Sequence, residues 1–91
     1  MTNLLKIFKA FSDETRIDIL RSLLAKKEIS CRELSGRFPL SQPALSHHFN
    51  KLIDAEIIIK RKNGTAVYYS INYKYLQNYG FDIKKITQKG A

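Results

Sequence analysis

The stretch from Glu28 to Ala55, EISCRELSGRFPLSQPALSHHFNKLIDA, constrains this chain more than any other. It reads as a short helix, a tight turn and a second helix that turns polar side chains outward. In the second helix Ser41 stands before Gln42 and Pro43. Proline costs little so early in a helix, because the N–H it lacks would be unpaired there anyway. Ser41 is placed to cap the orphan donors behind it. Leu45, Phe49, Leu52 and Ile53 then recur at helical spacing and make one apolar stripe. The opposite face carries Pro43, His47, Asn50 and Lys51, with Gln42 and Ser46 on its shoulder, and no outward position in the first two turns is acidic. Such a helix can lie in a DNA major groove and read base edges from its N-terminal end. A solvated surface helix looks the same at this level, so the rest of the chain has to decide.

Ninety-one residues make one domain, here 1–91. A chain this short buries only about 60–65% of its unfolded surface, so a second subunit would help stabilise it. Sixteen Lys and Arg against eight Asp and Glu leave a net charge of +8 on 91 residues. That imbalance favours a polyanionic partner, either nucleic acid or an acidic membrane face. No apolar run approaches bilayer-spanning length, so no membrane insertion is expected. Neither is a signal peptide, since no small-residue cleavage site follows Ile7-Phe8. A lone Cys31 has no internal disulfide partner, which fits a reducing, cytoplasmic location.

Taken in order, Asn3 to Phe11 carries apolar residues at Leu4, Leu5, Ile7, Phe8 and Phe11, wider than one buried stripe needs. A terminal helix of that kind packs on two things, here its own core and a partner subunit. Ser12-Asp13-Glu14 is a helix start, a capping residue followed by two carboxylates at the positive end of the macrodipole. Ile17, Leu20, Leu23 and Leu24 form the core face of that helix. Glu28-Ile29-Ser30 is a connector or a single β-bridge. Ser30 and Glu33 match a capping box for a short helix from Cys31 to Phe38, which Pro39 should stop.

After Ala55 the period changes. Ile57 to Lys62 and Thr65 to Ile71 are β-branched and aromatic runs separated by Asn63-Gly64, the strongest short hairpin signal. A type I′ turn on Asn63-Gly64 would set Ile58 opposite Tyr69 and Ile59 opposite Tyr68. Lys60, Arg61 and Lys62 gather near the tip without counter-charges, a repulsion that a phosphate backbone would relieve. Asn72 is placed to cap a helix carrying Tyr75, Leu76 and Tyr79, with Gly80 ending it. Phe81, Ile83 and Ile86 are too apolar for solvent but have no assigned place.

The sum is mainly α with a β-hairpin wing: a winged helix-turn-helix in the order helix, helix, short strand, short helix, helix, strand, strand, helix. At this point the chain also resembles a family. Phe11-Ser12-Asp13 with Thr15-Arg16 and Ile19-Leu20, then Ser41-Gln42-Pro43-Ala44 with Ser46-His47-His48, and Tyr68-Tyr69-Ser70 after the wing are similar to the ArsR-type transcriptional repressors, over roughly residues 4 to 72. The resemblance implies a homodimeric repressor of its own or a neighbouring operon, bound to a double-stranded DNA operator. Its first and last helices, within residues 1–11 and 72–91, would form the dimer interface. Leu4, Leu5, Phe8, Tyr75 and Tyr79 are the expected contacts.

The effector sites of many such repressors do not carry over. They sense metal through two Cys in the short helix, where this chain reads CRELSGRF, or through His and acidic ligands on the last helix, and no His follows His48. Zinc and thiophilic metals want three or four converging ligands. No metal site and no cofactor are therefore expected, and the pattern resembles the subgroup without the metal-binding motif, some members of which answer to a membrane or protein partner. Cys31 is read as structural, despite a helix N-terminal position that lowers thiol pKa. Ser41, Gln42, Pro43, Ser46, His47 and Lys51 on the helix, with Lys60, Arg61 and Lys62 on the wing, are the expected DNA-binding residues. An enzyme is not expected, since no carboxylate pair, Gly-rich phosphate loop or Ser-His-Asp set is present. The competing reading is a winged-helix protein-interaction module without operator binding.

Overall fold

Local capping and apolar spacing determine most of the helices. The computed structural model describes residues 3–88, and the outermost parts of the expected dimer segments, residues 1–2 and 89–91, lie outside it. Helix α1 (Asn3–Phe11) buries Ile7 and Ala10. It ends where Ser12 Oγ donates to the Lys9 carbonyl at 2.7 Å. Ser12 was the expected cap of the next helix, α2 (Glu14–Ala25), but Asp13 takes that role: its carboxylate accepts from Arg16 N at 3.0 Å. Ser12 Oγ is turned back towards the last turn of α1, and α2 begins at Glu14, so the capping position falls on Asp13. Ile19, Leu20 and Leu23 bury the core face of α2.

Strand β1 (Ile29–Ser30) is the expected bridge, and helix α3 (Cys31–Ser35) follows it directly. Ser30 Oγ accepts from Glu33 N at 3.1 Å. The Glu33 carboxylate does not return the bond; it is held instead by Lys26 and Arg37, at 2.9 and 2.8 Å. The α3 helix stops at Ser35 rather than running to Phe38. Beyond Gly36 the chain turns on tighter three-residue bonds, Arg37 N to Leu34 O and Phe38 N to Ser35 O, so Pro39 follows an end already made.

Helix α4 (Gln42–Asp54) buries Leu45, Phe49 and Leu52. It ends in a Schellman turn, with Glu56 N bonded to Ile53 O and Ile57 N to Leu52 O. Glu56 takes the left-handed conformation there, at φ 61. The wing is β2 (Ile58–Asn63) and β3 (Ala66–Ile71), and β3 lies between β1 and β2 in an antiparallel sheet. Its register differs from the expected one by two residues: Ile58 faces Ile71, Ile59 faces Ser70, and Tyr68 and Tyr69 face Arg61 and Lys60. Asn63 is the last β2 residue, paired with Ala66, so the loop is Gly64-Thr65. Positive φ falls on Gly64 alone (φ 65), as a turn with Gly at its first central position requires. This register sets apolar Ile58 against apolar Ile71 on the buried face, both at most 5% exposed, and burial outranks the Asn-Gly preference.

Helix α5 (Tyr73–Asn78) carries Leu76 into the core. Asn72 does not cap it with its side chain; Nδ2 donates to the Glu56 carbonyl at 3.1 Å and ties the tail to the end of α4. Gly80 (φ 79) closes α5 as expected. A further helix, α6 (Ile83–Thr87), was not foreseen. Asp82 caps it, Ile83 and Thr87 are buried, and it packs on α2, which gives Ile83 its place. Phe81 makes edge contacts with Phe8 and Phe11 at 5.7 and 5.6 Å, joining the tail to α1.

Candidate nucleic-acid interface

The outward face of α4 is held in position from behind. Ser41 Oγ accepts from Ala44 N at 3.3 Å, and the Ser41 carbonyl accepts from Leu45 N at 3.0 Å, fixing the first turn. Leu45, Phe49 and Leu52 are at most 3% exposed, and the Phe49 ring lies 4.9 Å from that of Tyr69 on β3. His48 turns inward and is half-buried, with Nδ1 3.1 Å from the Arg16 guanidinium and 3.6 Å from the Asp13 carboxylate. Arg16 also donates to the Ala10 and Lys9 carbonyls at 2.9 and 3.2 Å. One guanidinium thus joins the end of α1, the start of α2 and the middle of α4. His48 therefore packs rather than faces a ligand, while its neighbour His47 is exposed.

Ser41, Gln42, Pro43, Ser46, His47 and Lys51 are all exposed on the outer side of α4, along with Asn50. Lys60, Arg61 and Lys62 are exposed on β2. Strand alternation separates them, and Arg61 is not without a counter-charge. It makes a bidentate pair with Glu28 at 2.9 and 2.8 Å and stacks over the Tyr68 ring at 4.7 Å. The Arg61 bond, ahead of the opposing cost of desolvation, holds the Glu28 carboxyl below its ordinary range. Arg61 is thus partly committed to the protein, whereas Lys60 and Lys62 pair with no carboxylate among the described residues.

Between α3, the start of α4 and the wing lies an open cleft of about 870 Å³, with Gln42, Arg32 and Thr65 among its lining residues. Cys31 opens into the same cleft, with Sγ 3.8 Å from Ser35 Oγ. The described residues contain no cluster of three or more His, Cys, Asp or Glu able to hold a metal ion. No described helix is long and apolar enough to cross a membrane. Sequence reasoning missed the Arg16 hub. Thr15-Arg16 was part of the family resemblance, but nothing local gave Arg16 this role, since its partner on α4 is 32 residues away.

A helix-turn-helix with an exposed, uncharged-to-basic second helix and a cationic hairpin beside it defines the winged-helix class of DNA-binding regulators. Residues 13–60 match the family model described as "Bacterial regulatory protein, arsR family". The chain is 38% identical to an arsenical resistance operon repressor of Staphylococcus xylosus, over 93% of this chain and 83% of that protein. It is 40% identical to the transcriptional repressor SdpR of Bacillus subtilis, over 79% of each. Among solved structures, HlyU from Vibrio cholerae superposes with a TM-score of 0.76 at 32% identity, covering 92% of this chain and 87% of that one. The chain belongs to the ArsR family of winged helix-turn-helix transcriptional regulators, DNA-binding repressors rather than enzymes.

Proposed function

We propose that the protein works in the cytoplasm as a homodimeric repressor of its own or a neighbouring operon, with one α4 per subunit inserted in successive major grooves of an operator. The observation that carries this reading is the exposed polar face of α4 beside the wing. Gln42 at its N-terminal end suits bidentate pairing to adenine, with Ser41, Pro43, Ser46 and His47 around it and Lys51 on the phosphate backbone. Lys60, Lys62 and, when released from Glu28, Arg61 contribute affinity through the backbone or the minor groove. The dimer surface is the outer side of α1, with Leu4, Leu5 and Phe8, together with Tyr75 and Tyr79 from α5 and the turn after it. Leu5 and Phe8 are 50% and 53% exposed in the single chain, which supports a covered role in the assembly.

The protein answers to a signal other than metal at the family's Cys sites, since Cys31 stands alone in α3 and reads as structural; a membrane or protein effector is one such signal. The DNA-reading role is tested by selecting the preferred duplex from a random pool and measuring variants against it. Gln42→Ala costs roughly 1–3 kcal/mol at one operator position, whereas Lys62→Ala weakens all sequences alike. If Gln42→Ala lowered affinity equally for random duplexes, the base-reading assignment would be wrong.

A further inference from the structure

A groove of about 380 Å³ runs between α1 and the C-terminal half of α4, lined by Lys6, Lys9, Arg16 and Lys51 around Ser12 and Asp54. Four cations meet one carboxylate there. Lys6, Lys9 and Lys51 form no ion pair among the described residues. Like charges gathered without partners disfavour folding, and a polyanion relieves them. None of these residues belongs to the wing, and only Lys51 lies on the face of α4 already considered.

Position narrows the choice of anion. Lys51 follows Gln42 by about 13 Å along the helix axis, and a major groove is about 12 Å wide. A helix lying across the groove with its first turn on base edges has Lys51 near the phosphate rail, and the groove sets Lys6 and Lys9 of α1 beside Lys51. On α1, Lys6 lies on the opposite side from Leu4 and Phe8, at about 100° per residue, so the proposed dimer contact leaves Lys6 open, while Lys9, one turn from Leu5, stands at its border. The donors also suit a rail better than a small ion. Arg16 has spent its guanidinium on the Ala10 and Lys9 carbonyls and on His48. What remains is charge on flexible lysine stems, without a fixed fork to grip one phosphate.

We propose that this groove is a second phosphate-binding surface, which holds the sugar–phosphate backbone of the duplex flanking each half-site and lengthens the footprint beyond α4 and the wing. It rests on the operator-binding reading above. The test compares the native protein with K6Q/K9Q on the selected duplex, by affinity across a salt series and by hydroxyl-radical footprinting. Lys9 is exposed and Lys6 partly so, and the Lys9 carbonyl bonds are backbone, so the fold is retained; circular dichroism checks this, and sedimentation checks that the oligomeric state is unchanged. Each lost phosphate contact flattens the log–log salt slope by about 0.9, so two lysines in each of two subunits flatten it by about 3.6, and the outer protected positions of each half-site disappear. Base preference stays unchanged. A native protein that selects no sequence defeats the operator reading itself. Sequence-specific binding with the same slope and footprint in K6Q/K9Q overturns this inference alone. So does inorganic pyrophosphate that saturates the groove without DNA and displaces the duplex, since the groove is then a small-anion site.

Discussion

Arg16 shows how much one side chain can organise. Its three hydrogen-bonding arms reach the last carbonyls of α1 and the ring of His48, so the outward aim of α4 depends on a residue of α2. Arg61 and Glu28 are a second case, in which a cation expected to be free for DNA is held across 33 residues of sequence. Tyr69 is a third. Burial first, then the neighbouring Cys31 thiol, pushes its pKa from 10.0 up to about 12. A folded state that keeps this proton longer than the unfolded chain gains stability that is whole below pH 10 and is lost as pH climbs towards 12. Urea midpoints followed through that window should fall less steeply in Tyr69→Phe than in the native protein. Parallel curves for the two would show that the hydroxyl adds nothing to the alkaline limit. Tyr75, also raised by burial, keeps part of the decline in both.

At the level of elements, the chain uses the same helix-ending turn twice with different residues. After α5 the left-handed position is Gly80 (φ 79), and after α4 it is Glu56 (φ 61). A side chain at such an angle costs about 1–2 kcal/mol relative to the right-handed region. Glu56 is tolerated because the Schellman bonds and the Asn72 bond to its carbonyl determine its backbone. Glu56→Gly should accordingly raise stability by about 0.5–1 kcal/mol in denaturant unfolding, despite the entropy a glycine adds to the unfolded chain. A loss of stability would mean that the exposed bond from Asn3 to the Glu56 carboxylate, at 3.4 Å, outweighs the backbone strain. The wing teaches a related lesson. Its two strands and their approximate ends were legible from β-branched runs and Asn-Gly, but the turn moved one residue along because Ile58 and Ile71 share the buried face.

For the molecule as a whole, the question is what covers α1. The described residues measure 34 × 30 × 25 Å, and the proposed dimer would have to set its two α4 helices about 34–36 Å apart, one DNA turn, or a multiple of it. Phe8 is half-exposed yet touches Phe81 edge-on, so α1 and the tail present one continuous apolar side. Under the proposed homodimer, sedimentation equilibrium should show a native dimer and a Phe8→Glu monomer, with association weakened at least tenfold. Operator affinity falls with it while the far-ultraviolet circular dichroism stays the same. An unchanged dimer would move the interface elsewhere.

By itself the sequence determined what acts over a few residues: the capped start and apolar stripe of α4, the Ser30 cap of α3, the existence of the hairpin and the end of α5 at Gly80. These depend on side chains reaching their own backbone and on a period that repeats within two turns, so they are legible without a fold. The exposed candidate residues Gln42, Ser46, His47 and Lys51 follow from that same period. Tertiary structure alone decided the register of the wing, the helix α6 against α2, the capture of Arg61 by Glu28 and the meeting of Lys6, Lys9 and Lys51. Each of these depends on which distant or competing group arrives first at a donor or a buried surface, and only the packed chain sets those distances.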